Sequence, residues 1–359
     1  MEGFGHYSLE ITKRICENHP EHDFVLFFDR KVDSSLKFSS NVKKVVLFPP
    51  TRHPFLWILW FDLSIPFALK KNKIDLFWSP DGYCSLLSKV PQIITIHDVN
   101  FEHYPKDMPW LVAKYFRFFF PKFTKKARKI LTVSNYSKND ICKSYSISNE
   151  KIEVVYNAPN EIYKPIDESL KISTKNEFSL GFDYFLFVGS LHPRKNVQRL
   201  IDAFVLAKSK LLDLKLVIVG SAMWKDKFLT IPETVEKDII FLGHLSLNDL
   251  SKVTASALAL TYVPYFEGFG IPLVEAMKCG VPILAAEATC LPEVAKNSAI
   301  YCDPFDINSI SESMIKLFKD ESLREKLRNN GLVRSKDFSW DNSANKVWSI
   351  LEKEISSLK

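Results

Sequence analysis

The stretch "TYVPYFEGFGIPLVEAMKCGVPILAA", Thr261 to Ala286, reads as the end of one strand, a glycine turn, a helix and the next strand. Glycine turns that enter a helix expose backbone N–H groups and the positive end of a dipole, and both favour an anion. Two carboxylates, Glu267 and Glu275, flank the turn of Gly268, Phe269 and Gly270. A carboxylate facing an anion is repelled. The two glutamates are therefore expected to bind hydroxyls, while the turn and nearby cations hold phosphates. Phosphates in the middle and hydroxyls at both ends describe a nucleotide-diphosphate sugar.

Outward from this stretch, short apolar runs alternate with helical patterns along the whole chain. In the first half the runs fall at 24–28, 42–48, 74–78, 92–96, 130–133 and 152–156. In the second they fall at 184–188, 215–219, 238–241, 257–261, 281–285 and 299–302. Runs of four to seven apolar residues without clean alternation are typical of strands covered on both faces. Strand, helix, strand, repeated twice over, predicts two α/β domains with doubly wound parallel sheets and right-handed crossovers. Residues 1–165 are expected to form the first and 166–339 the second, with the seam in the polar stretch Lys164 to Asp183, which has no apolar period. Three helical patterns close the chain.

A length of 359 residues suits two domains, and 46% hydrophobic with 25% charged residues is ordinary for a globular protein. The run Pro54 to Phe61 is too short to cross a bilayer, and no signal peptide is apparent. Six cysteines, none in a C-x-x-C pair, read as reduced thiols and suggest a cytoplasmic location. Of the net charge of +6, residues 1–165 carry +7 and the remainder −1, which assigns any anionic surface or acceptor to the first half.

Parallel sheets bind ligands at the carboxyl ends of their strands. Gly189-Ser190, Gly220, Gly243-His244 and the Glu267 loop all follow second-half strands. Arg194 and Lys195 come just after Pro193 at a helix start, where cations are unfavourable unless an anion lies in front of them; otherwise they are surface charges. His97, after the 92–96 strand, is a catalytic group, a substrate-orienting group or a histidine satisfied by backbone. Gly3 and Gly5 precede a helical pattern beginning near Ser8 and form either a phosphate-approaching loop or a flexible terminus. Residues 109–129 mix Trp110 and five phenylalanines with seven cations, as a membrane-docking face or as a core helix with a basic end. Nucleic acid is not indicated, since no groove-reading motif accompanies the charge. No D-x-D, H-E-x-x-H or P-loop is present, so no metal or cofactor is expected.

The segments "GSLHPRKN", "YFEGFGIPLVEAMKCGVPILA" and "CLPEVAKNSAIYCDPFD" resemble glycosyltransferase family 4, the retaining GT-B enzymes that use nucleotide sugars. "ITIHDVNFEHYP", "LTVSNYSKNDI" and "IEVVYNAPNEIYKP" resemble the first domain of its bacterial polysaccharide- and lipopolysaccharide-building members. The resemblance implies that Arg194 and Lys195 bind the diphosphate, Glu275 the ribose hydroxyls and Glu267 the donor hexose. It gives the Gly268–Ile271 backbone, with Val274 behind it, to sugar and phosphate, and His97 to the donor sugar pocket. The loops at Gly220 and Gly243 would border the base. Residues 340–359 are expected to cross back onto the first domain. The reaction implied is metal-independent transfer of a mannose- or glucose-type hexose to a glycan or lipid-linked acceptor, by a cytoplasmic protein peripheral to the inner membrane face. A nucleotide-sugar epimerase and a non-catalytic sugar-binding protein remain as alternatives. Members of the family usually open with a strand before the G-x-G-x-Y motif, whereas here Met1 stands directly before Glu2-Gly3. The first domain is therefore expected to lack its opening central strand, through an upstream start or a gap in the sheet.

Overall fold

The computed structural model describes residues 3–34, 36–210, 213–221 and 229–358. Its strands, in chain order, are β1 (Phe24–Phe28), β2 (Val42–Val46), β3 (Phe77–Ser79), β4 (Gln92–Thr95), β5 (Lys129–Thr132) and β6 (Ile152–Val154). They continue with β7 (Asp183–Val188), β8 (Leu214–Val219), β9 (Ile239–Gly243), β10 (Ala259–Tyr262), β11 (Ile283–Ala286) and β12 (Ala299–Cys302). Each apolar run of the sequence overlaps one of them, and all described pairings are parallel.

Two compact units emerge, Met1–Asn157 with Trp340–Lys359, and Ala158–Ser339. The second is one sheet in the order β12-β11-β10-β7-β8-β9. Every residue of β8, β10 and β11 is buried, the condition for strands with helices on both faces. Phe185, Phe187 and Phe204 are fully buried in its core, each contributing about 2 kcal/mol by the area removed from water. The chain leaves β7 to build β8 and β9 on one side, then returns to build β10 on the other. The order reverses between β7 and β10, which is where such sheets take ligands.

The first unit holds two sheets, β1-β2 and β3-β4-β5-β6. β2 ("VKKVV") turns Lys43 and Lys44 to solvent, as an outer strand should. Helix α1 spans Gly3–Asn18. The sequence placed its start near Ser8; the glycines are instead within its first turn, so they form no loop.

A second correction concerns the seam. Within Lys164 to Asp183, Asp167 accepts a hydrogen bond from Leu170 N (2.8 Å) and starts the helix Glu168–Ser179. Its sequence, "ESLKISTKNEFS", has a weak apolar stripe, so a cap rather than a period marks it. The three closing helices are Ile307–Lys319, Glu321–Arg334 and Trp340–Ser356, the first two capped by Asp306 and Asp320. The last belongs to the first unit, where Arg14 pairs with Asp341 (2.6 Å) and Arg128 with Glu354 (2.6 Å).

Candidate active site

Register brings three glycines together at the carboxyl ends of β7, β8 and β9. Val188 lies beside Val219, and Val219 beside Gly243. Gly220 N donates to Gly243 O at 2.8 Å, and Gly189 N to Val219 O at 3.0 Å. Gly220 has φ +143°, and a Cβ there would lie 1.8 Å from the Gly189 carbonyl oxygen. Only glycine permits this approach. Ser190 follows Gly189 half-buried, and His244 follows Gly243 exposed.

After β7, Pro193–Lys195 forms a 3-10 turn rather than the opening of a helix. Asn196 then adopts a left-handed conformation, and the α-helix runs Val197–Ala207. The Asn196 side-chain amide donates to Val263 O (2.9 Å) and Pro304 O (2.6 Å), tying the turn to the loops beyond β10 and β12. Tyr265 N donates to Arg194 O (3.1 Å). These bonds bring Arg194 and Lys195 against Glu267, which is only 6% exposed. Glu267 Oε1 accepts from Arg194 Nη1 (2.8 Å), from Lys195 Nζ and from the Tyr262 hydroxyl (2.9 Å). Lys195 Nζ also donates to the Tyr262 oxygen at 2.6 Å. Burial alone would raise the Glu267 pKa, but Arg194 and Lys195 outweigh it and hold the carboxyl down to about 2. Two cations against one carboxylate leave a formal positive surplus at the switch point of the sheet.

The glycine turn follows. Gly270 is left-handed (φ +85°) and caps the helix Ile271–Lys278, with Pro272 in the first turn. Phe269 packs edge-on against Phe338, ring centroids 5.7 Å apart. Val274 is corrected from the predicted donor contacts. It is 0% exposed, one residue before Glu275 on a different helix face, and its side chain packs into the core. Glu275 stands in the second turn beside the buried Tyr163, and burial raises its carboxyl to about 7. The Tyr163 hydroxyl approaches Glu275 closely enough to be perturbed by it, yet has no partner in hydrogen-bond geometry. A ligand hydroxyl can serve both groups.

His97 is in the first unit. Its Nε2 lies 3.0 Å from Pro80 O, and its ring meets Tyr7 of α1 edge-on (centroids 5.0 Å apart). Burial lowers its pKa. The backbone contact is the satisfied-histidine arrangement. Gly5 lies on the same helix, α1, as Tyr7. Among the described residues, no group of three or more His, Cys, Asp or Glu side chains could hold a metal ion.

Tyr262, Tyr163 and Asn196 escaped the sequence reading. Tyr262 sits inside an apolar strand, where its ring reads as packing. Asn196 follows Arg-Lys, and its adoption of positive φ was the available signal.

Two α/β units, each built on parallel strands, one of them with a positive surplus at its switch point, are the architecture of GT-B proteins. Two family models match this chain, one described as Glycosyltransferase Family 4 over residues 3–160 and one as Glycosyl transferases group 1 over residues 169–334. The Escherichia coli O-antigen chain mannosyltransferase B is 29% identical over 95% of this chain and 93% of its own. O-antigen chain mannosyltransferase RfbU of Salmonella typhimurium is 32% identical over 70% and 68%. Among solved structures, Anabaena Alr3699/HepE in complex with UDP-glucose superposes with a TM-score of 0.76 at 16% identity, over 98% and 96%. The chain belongs to this family of glycosyltransferases.

Proposed function

We propose that the chain is a retaining hexosyltransferase of cell-surface polysaccharide synthesis. Its donor is a nucleotide-diphosphate sugar of mannose or glucose type, and its acceptor a glycan or lipid-linked hydroxyl. The mannosyltransferase names of the two bacterial relatives support the sugar and the setting. The carrying observation is the Arg194–Lys195–Glu267–Tyr262 cluster beside the glycine turn.

In this reading the surplus positive charge and the Gly268–Ile271 backbone hold the diphosphate, Glu267 turns its carboxylate to the hexose, and Glu275 accepts from the ribose hydroxyls. Gly189, Ser190, Gly220, Gly243 and His244 border the phosphates and base. The C1–phosphate bond breaks, the acceptor oxygen bonds C1 on the same face, and its proton passes to the leaving phosphate oxygen. Fixed cations stabilise the charge that develops on that phosphate, a contribution often dominant in such sites. No metal takes part. Six unpaired thiols suit a reducing cytoplasm, and the helix Trp110–Lys126 supplies a peripheral membrane contact.

The test is kinetic. Arg194→Ala and Lys195→Ala are each expected to lower kcat/KM by about 100-fold, with wild-type turnover unchanged in EDTA and an axial product that keeps the donor's anomeric configuration. Unchanged turnover in both variants refutes the diphosphate assignment. Sugar isomerisation with donor alone would indicate an epimerase instead.

A further inference from the structure

The turn after β11 carries a residue in a costly conformation. Thr289 is left-handed, with φ +52°. A β-branched residue is a rare occupant of that region, where glycine or asparagine fits with less strain. Strain of this kind persists only where the surroundings hold it, and it gathers at working sites.

The contacts of Thr289 lead to one residue. Its hydroxyl oxygen accepts from Glu267 N at 3.3 Å. The next residue, Cys290, is buried and donates from Sγ to Glu267 O at 3.2 Å. Leu291 N donates to Ala288 O at 3.2 Å and closes the turn. Leu291 lies so near Gly270 that a Cβ on that glycine would stand 2.8 Å from its Cδ2. Consecutive residues of one turn therefore hold the Glu267 backbone at both its N–H and its C=O, and support the glycine turn that follows. The side chain is tethered as well. Among the described residues, Arg194, Lys195 and Tyr262 all donate to Oε1. With Oε1 fixed, the position of the main chain decides where Oε2 points.

We propose that Thr289 is a positioning residue for the donor: its hydroxyl fixes the main chain at Glu267 so that Oε2 meets a hydroxyl of the hexose. This rests on the reading of Glu267 as the hexose-binding acid. The left-handed backbone brings the hydroxyl to the Glu267 amide, so the strain is kept for its geometry. A glycine at this position relaxes the backbone and loses the contact.

Thr289→Gly removes hydroxyl and strain together, and Thr289→Ser keeps the hydroxyl. Isothermal titration with GDP and GDP-mannose, and with UDP and UDP-glucose, separates the hexose contribution from that of the nucleotide. Thr289→Gly is expected to weaken the nucleotide sugar by at least ~10-fold relative to the bare nucleotide, the scale of one hydrogen bond to a charged group. It should melt at or above the wild-type temperature, since relieved strain offsets the freer unfolded chain. Thr289→Ser should stay within ~3-fold of wild type, because the acceptor oxygen remains. A threonine that served only folding would lower the Tm of Thr289→Gly and weaken nucleotide and nucleotide sugar alike, and that result overturns the proposal. Glu267→Gln, which puts an amide in place of the carboxylate, tests the reading beneath it. If Glu267→Gln keeps the wild-type ratio of the two affinities, the hexose assignment fails and the proposal with it. If Glu267→Gln shifts the ratio and Thr289→Gly does not, the proposal alone is overturned. If neither nucleotide sugar binds, hydrogen exchange at the Glu267 amide decides. Exchange at least ~10-fold faster in Thr289→Gly, with the wild-type rate in Thr289→Ser, supports the contact, and equal rates in all three proteins overturn it.

Discussion

Glu267 is the residue on which the second unit's charges converge, and its removal has a defined cost. Arg194 and Lys195 are largely buried, with side chains 23% and 11% exposed. Glu267→Ala strands both without their carboxylate and should destabilise the protein by about 3 kcal/mol. Tyr262→Phe removes one hydroxyl from the same cluster and should cost about 1 kcal/mol. Thermal or urea melting checks both, and a Glu267→Ala loss no larger than the Tyr262→Phe loss would show that the cluster is not coupled. Because the folded carboxyl titrates near 2, below its ordinary value, its stabilisation is present above pH ~4.5 and is lost as pH falls toward 2. Glu275 behaves in the opposite sense. Raised to about 7, it contributes no stabilising charge, and stability falls as pH rises from ~4.5 to about 7. Donor hydroxyls need the ionised form as acceptor, so donor affinity is expected to rise through pH 7 and to level above it. Isothermal titration at pH 6 to 8 measures this, and Glu275→Gln should flatten the profile. A wild-type profile that is already flat refutes the assignment of Glu275.

At the scale of elements, the Trp110–Lys126 helix divides its faces. Ala113, Tyr115, Phe120 and Phe123 are buried, whereas Trp110 is 67% and Phe118 58% exposed. Lys114 lies over the Trp110 ring (3.9 Å) and Lys122 over Phe118 (3.3 Å). Exposed aromatic rings capped by cations suit an anionic lipid interface, where rings enter and ammonium groups remain at the headgroups. The double variant Trp110→Ala, Phe118→Ala is expected to reduce flotation with vesicles containing phosphatidylglycerol by about 10-fold while leaving melting nearly unchanged. Equal flotation would confine this helix to a packing role. Outside the seam helix Glu168–Ser179, helix and strand existence was legible in the sequence, because β-branched and aromatic runs alternate with caps such as Asp306 and Asp320. Side-chain convergence was less so. The pairing of Arg194 with Glu267 spans 73 positions and depends on Asn196 bridging two loops, which no local pattern records. Val274 was misassigned because proximity to Glu275 in sequence is separation around a helix.

For the molecule as a whole, the decisive fact is that one unit is continuous and the other is not. Residues 158–339 form the second unit unaided, while the first draws on both Met1–Asn157 and Trp340–Lys359. Trp340, Val347, Trp348 and Leu351 of the last helix are buried. Truncation after Ser339 is expected to unfold the first unit and to spare the second. Limited proteolysis should then leave a resistant fragment close to residues 158–339, and equal resistance of both units would contradict the assignment. The second unit and its strand-end glycines were visible in the sequence, since they lie in one uninterrupted span. The exact division at Asn157 was not, because a capped helix occupies the stretch that read as a linker. During synthesis this arrangement inverts the order in which the two units mature. The segment made first must wait for the final helix to leave the ribosome, exposing β1 and β3 in the meantime, whereas the middle of the chain can complete its sheet earlier. A nascent chain of this design has its greatest need for chaperone protection at its oldest residues.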